Sequence, residues 1–284
     1  KFQTAGWAFQ ILPYIEQQNL YNTPDIIYDS NGNPTNVQLC KTMAVWGPQY
    51  PVGSYFINMD LPTANAPGPV RLTPVKTYYC PSRRAAALYG GVATIDYAAA
   101  HPDTAVPIPA RAGGTQPWSD IYSCAFAWWG DEGQHGVLAG RRYGKVTFAS
   151  IIDGTANTMA VGEKFMRPEW YGGNYPGDWR GFVGGGIVDD RRTTGVETSP
   201  SSDPSQNLAL ANPAHDVNYP TSSTSTDDSW RADAYFGSAH PAGINAVFAD
   251  GSVHHVKFGI DPQVFNALGH RNDGTNLAND PDSF

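Results

Sequence analysis

His240 and Asp250 are the residues whose types most invite a chemical reading. Nine residues separate them, and Gly251 follows Asp250. A histidine near a carboxylate is raw material for general acid–base catalysis. His215-Asp216 offers a second such pair, and Cys80, followed by Pro81 and Ser82, offers a thiol. A hydrolase built on any of these needs an activated nucleophile. The chain has no Gly-x-Ser-x-Gly elbow, no His-Glu-x-x-His helix and no phosphate-binding glycine loop. No base lies near Cys80 in sequence to produce its thiolate. The expectation is a protein that is not an enzyme, with a hydrolase as the weakest alternative.

Two other residue sets could bind ligands. Asp153, Asn157 and Glu163 carry hard oxygen donors of the kind calcium takes. The competing reading of Asp153-Gly154 and Asn157 is a turn that Asp and Asn close by bonding nearby backbone. Asp29 to Asn33 looks like a fragment of a calcium loop but lacks its glycine and its closing acid, and reads as a polar turn. Trp128, Trp129, Trp170 and Trp179, with Asp131, Glu132, Asp178 and Arg180 as polar neighbours, could form sugar-stacking platforms. Cys40, Cys80 and Cys124 fit no metal spacing. They leave open one disulfide with any of three pairings, or three buried thiols.

The elements that must position these groups are mostly strands. Ile244 to Ala249 and Ser252 to Lys257 flank Asp250-Gly251, the turn dipeptide of a two-residue hairpin. That register pairs Phe248 with Val253, Ala246 with His255 and Ile244 with Lys257, and turns those six toward the core. Val75 to Tyr79 and Val146 to Phe148 read as short strands, and Thr158 to Gly162 as another, with Ser150 as a cap before the last. Across Gly6 to Tyr21, Trp7, Ile11, Tyr14, Ile15 and Leu20 roughly follow helical spacing, and a helix is expected from about Pro13 to Tyr21, preceded by an irregular or helical turn. A short helix is expected over Gln38 to Trp46. A third helix begins at Asp261-Pro262, with Val264, Phe265 and Leu268 buried and Gly269 as its end. The resulting class is α+β: a mostly antiparallel sheet, few short helices and long loops. Residues 1–284 read as a single globular domain, with 166–235 as a loop-rich insertion of Gly, Ser, Thr, Asp and Pro.

Five ordered blocks carry a family resemblance. They are Gly6 to Tyr21, Val75 to Ser82 with Cys80-Pro81-Ser82, Asp96-Tyr97, Val146 to Lys164 with Asp153-Gly154 and Asn157, and Phe236 to Val256 with His240 and Asp250-Gly251. Together they resemble the prepilin-type, processing-associated His-x9-Asp-Gly family, a bacterial domain of unknown function. After Asp96-Tyr97 the family often has Gly and Asn, whereas this chain has Ala98 to Ala100. The resemblance implies a pilin-like or pseudopilin-like globular head, exported and exposed at the cell surface. Its partners would be copies of itself or other pilin-like subunits. The family's N-terminal membrane helix does not occur in this sequence, so membrane contact is expected only through such a helix.

The bulk properties are those of a globular chain. The chain has 284 residues, 41% of them hydrophobic and only 15% charged, enough for a sizeable core. A net charge of −8, with Lys plus Arg at 18, argues against nucleic acid. Lys1 opens the chain without a start methionine or signal peptide, the expected mark of a mature or truncated product. The leading expectation is a non-enzymatic pilin-like structural subunit. The alternative is a surface module that binds glycan or solute through its Trp and Tyr platforms.

Overall fold

The structure is a computed structural model. It describes residues 6–22, 26–28, 34–38, 44–45, 55–56, 70, 72–102, 135–138, 146–173, 178, 182, 191–194, 212–218 and 235–274. The chain forms two compact units, Lys1–Ile95 with Gly172–Gly185, and Asp96–Tyr171 with Gly186–Phe284. Its class is α+β: few short helices, and sheets that are mainly antiparallel with parallel additions.

The first unit opens with α1 (Trp7–Gln10), a 3-10 turn at Leu12–Ile15 and α2 (Gln18–Asn22). The continuous helix expected from Pro13 is not formed. Pro13 sits in the first turn of the 3-10 segment, and Glu16 stops it in the left-handed region at φ 61°. With the helical period broken, the expected stripe breaks too. Ala8, Phe9, Leu12 and Leu20 are buried, whereas Tyr14 is exposed. Phe9 stacks on Tyr21 with ring centroids 5.1 Å apart.

Four strands follow as two antiparallel pairs: β1 (Ile26–Tyr28) with β2 (Pro34–Gln38), and β3 (Ala44–Val45) with β4 (Tyr55–Phe56). Gln38, Ala44 and Val45 therefore lie in strands where a helix was expected. Val75 to Tyr79 is likewise no strand. Lys76–Tyr78 coils as a 3-10 turn, with Tyr78 N–H and Tyr79 N–H donating to the carbonyls of Val75 and Lys76. Tertiary hydrogen bonds override the β propensity of the two tyrosines. The Tyr78 hydroxyl donates to the Ala8 carbonyl. The Tyr79 hydroxyl donates to Ala87 O at 2.8 Å and accepts from Thr94 N–H at 3.0 Å. Strands β5 (Leu88–Tyr89) and β6 (Val92–Ala93) form a small hairpin.

The second unit is built on a five-stranded sheet of β7 (Tyr97–His101), β8 (Met159–Glu163), β9 (Arg191–Thr193), β12 (Gly243–Phe248) and β13 (Val253–Lys257), in the order β13-β12-β8-β7-β9. β10 (Ala214–His215) and β11 (Gly237–Ser238) form a separate two-stranded parallel pair. Strands β9 and β10 fall inside the stretch read as loops; Thr198 to Gln206 and Thr221 to Ser229 lie outside the described residues. One sheet face packs on α3 (Pro262–Gly269), burying Ala98, Ala100, Met159, Ile244, Ala246, Phe248 and Val256 against Val264, Phe265 and Leu268. The α3 start is as expected: Asp261 Oδ1 accepts from Gln263 N–H at 2.8 Å and Val264 N–H at 3.3 Å. Val146 to Phe148 is not a strand. Thr147, rather than Ser150, caps a 3-10 turn at Phe148–Ser150, and Ser150 reaches back to the Thr147 backbone.

The hairpin forms where Asp-Gly predicts it, in a register one residue away from the expected one. Ile244 pairs with Val256, Ala246 with His254 and Val247 with Val253. Gly251 N–H donates to Phe248 O, and Phe248 N–H donates to Ser252 O. The loop is therefore Ala249-Asp250-Gly251, a turn ending in a left-handed glycine at φ 87°. The extra loop residue flips the second strand's faces. Ile244, Ala246 and Phe248 face the core as expected, but they do so with Val256. Val253, His255 and Lys257 are exposed.

Candidate functional site

The chemistry-bearing residues of the second unit gather around Glu163, at the end of β8. Gly162 pairs with Ala98 and Ala246, both in the α3-packed core. Alternation along the strand turns the next residue, Glu163, to the opposite sheet face. Its side chain is 1% exposed. A carboxylate buried that deeply is costly unless its oxygens are satisfied. Oε2 accepts from Asn245 N–H at 2.7 Å and Ser238 Oγ at 2.9 Å, with Asn245 Nδ2 at 3.4 Å. Oε1 faces His240 Nε2 at 3.4 Å. The Ser238 hydroxyl also accepts from His240 N–H at 3.1 Å, which fixes the backbone that carries the imidazole.

The local sequence explains how His240 arrives there. Gly237, in β11, packs so closely that a Cβ would lie 2.6 Å from Ala214 O and 2.7 Å from Phe165 Cδ2. Only glycine lets the backbone run this near β10, and Ser238 then enters the buried site. Ser238 and Asn245 are the members that sequence reading missed. Their signal was the Gly237-Ser238 step before His240, which has no recognisable ligand spacing.

Asp250 does not join His240. Its Oδ1 accepts from Ser252 Oγ at 2.6 Å and Ser252 N–H at 2.8 Å, closing the hairpin loop. The Ser252 hydroxyl, and then the Ser252 amide, hold the Asp250 carboxyl below its usual range. Ser252 Oγ also lies 2.8 Å from His254 Nε2.

Asp153 and Asn157 take turn-closing roles. Asn157 Nδ2 donates to Asp153 O at 3.1 Å, and Thr158 Oγ1 to Gly154 O at 2.9 Å. The Asp153 carboxylate accepts from Asp273 N–H and Gly274 N–H, each at 2.8 Å, clasping the segment after α3. Asp153 and Glu163 thus serve different partners. His215 and Asp216 do not form a catalytic pair either. His215 Nδ1 accepts from Val217 N–H at 3.2 Å. Buried Asp216 accepts from Met166 N–H at 3.1 Å and the Tyr171 hydroxyl at 2.6 Å.

In the first unit, Cys80-Pro81-Ser82 is a turn in which Cys80 O accepts from Arg83 N–H and Arg84 N–H. Cys80 is a buried thiol; Cys40 and Cys124 lie outside the described residues. Asp178, expected beside a sugar platform, is buried in an ion pair with Arg84 at 2.6 Å. Trp170, in the second unit, is partly buried, with the Arg167 guanidinium 5.3 Å from its ring centroid. Trp128, Trp129, Trp179, Asp131, Glu132, Arg180 and the Asp29 to Asn33 turn lie outside the described residues.

Residues 1–263 of the chain are matched by a family model described as a protein of unknown function, DUF1559 (SBP_bac_10). The chain belongs to this family. Comparison with curated proteins and with solved structures gave no match. In this DUF1559 chain, no helix of the described residues is long and apolar enough to cross a membrane.

Proposed function

We propose that this chain is the head of an exported, cell-surface, pilin-like structural subunit, working by assembly rather than catalysis. The observation that carries this reading is the use made of Ser238. A serine nucleophile needs its hydroxyl directed at a basic imidazole nitrogen. Here the hydroxyl donates to the Glu163 carboxylate and accepts from a backbone N–H. Through Ser238 and Asn245, Glu163 Oε2 fastens residues 237–245 to the sheet. Asp153, Asp216 and Asp250 likewise bond backbone or neighbouring side chains that hold turns in place. The five-block resemblance and the α+β head support a pilin-like subunit, whose partners would be its own copies or related subunits.

Electron microscopy of cell-surface material carrying the native, full-length product tests the reading. Fibres labelled by an antibody to this head are expected. Dispersed monomers alone would overturn the proposal.

A further inference from the structure

The Glu163–His240 pair has a geometry that suits something more than an ion pair. A charge-assisted N–H···O bond is about 2.7–2.9 Å long. Glu163 Oε1 and His240 Nε2 are 3.4 Å apart. Zinc binds imidazole nitrogen at about 2.0–2.1 Å and carboxylate oxygen at about 2.0–2.2 Å, in a tetrahedron. With those bond lengths and a tetrahedral angle, adjacent N and O ligands stand about 3.4 Å apart. The observed separation equals that edge.

The surroundings fit ligation as well. Oε2 is already occupied by Ser238 and Asn245, which orient the carboxylate and leave Oε1 directed at the imidazole. Hydrogen-bonded orientation of a ligating carboxylate is the usual support around a metal. The His240 side chain is 31% exposed, so an ion can reach the pair from solvent and complete its shell with water or further donors. The nitrogen ligand selects the metal class. Calcium and magnesium take oxygen, whereas imidazole suits zinc, copper, iron and nickel.

We propose that Glu163 Oε1 and His240 Nε2 are two ligands of a divalent transition-metal site, with zinc as the best-fitting ion. The site differs from the oxygen-only calcium set of Asp153, Asn157 and Glu163, and it does not depend on filament assembly.

The test uses the untagged full chain, stripped with EDTA and titrated with Zn²⁺ by calorimetry, then with Co²⁺ by visible absorption. About one zinc per chain is expected, together with the cobalt d–d bands of a tetrahedral site. His240→Ala should weaken zinc at least about tenfold, and so should Glu163→Gln, which keeps an oxygen acceptor for Ser238 and Asn245. Calcium should give no heat from this pair. Thermal melts in EDTA establish that each variant folds; if Glu163→Gln does not, the half-exposed His240→Ala decides. Absence of zinc uptake by the native chain, or uptake that folded His240→Ala leaves unchanged, would overturn the proposal.

Discussion

His101 shows how much one side chain can demand of its surroundings. It ends β7, is 3% exposed, and both its ring nitrogens are buried without a hydrogen-bond partner among the described residues. Burial, followed by the nearby Arg191 charge, pushes its pKa well below the ordinary 6.5. The folded state therefore refuses a proton that the unfolded chain accepts. Stability is unaffected above the unfolded pKa near 6.5, then falls as pH drops toward the folded value. One such proton gives a slope approaching about 1.4 kcal/mol per pH unit. Urea unfolding of the native chain and His101→Leu, compared from neutral to mildly acidic pH, should show the leucine variant gaining relative stability below pH 6.5. Parallel curves would contradict this account.

At the scale of elements, capping and turn chemistry set where structure starts and stops. Asp261 satisfies two otherwise orphaned amides at the start of α3, and Pro262 occupies the first turn, where no N–H is needed. Asp261→Ala should lower stability by about 1 kcal/mol without changing the fold. Chemical denaturation would show this as a lower midpoint with an unchanged slope. The hairpin teaches the opposite lesson. Asp250-Gly251 marks the turn correctly, but Asp-Gly serves both two-residue and three-residue loops. Only the finished loop, with Gly251 at φ 87°, decides that Val256 rather than Val253 joins Ile244, Ala246 and Phe248 in the core.

For the molecule as a whole, charge bears on assembly. A net charge of −8 at pH 7 makes copies of the chain repel one another over a Debye length. If the subunit assembles with itself, raising the salt or moving the pH toward the sequence pI near 5.2 should promote association. Light scattering across an ionic-strength series at pH 7 checks this. Association that weakens with salt would instead mark an interface held by opposite charges.

The sequence by itself determined the α+β class, the hairpin turn, the α3 cap and the Asp153–Asn157 turn. The turns and the cap rest on contacts within a few residues, where residue type and spacing suffice. It also singled out His240, without a reason for it. The rest belonged to tertiary structure. Val75 to Tyr79 and Val146 to Phe148 do not form strands despite their β-rich composition, because turn and cap hydrogen bonds outweigh weak strand propensity. Glu163 lies 75 residues from Ser238 and 82 from Asn245 in sequence, and no local spacing connects it to His240. Strand order and face alternation bring them together, and burial of the Glu163 carboxylate then requires every donor it finds there.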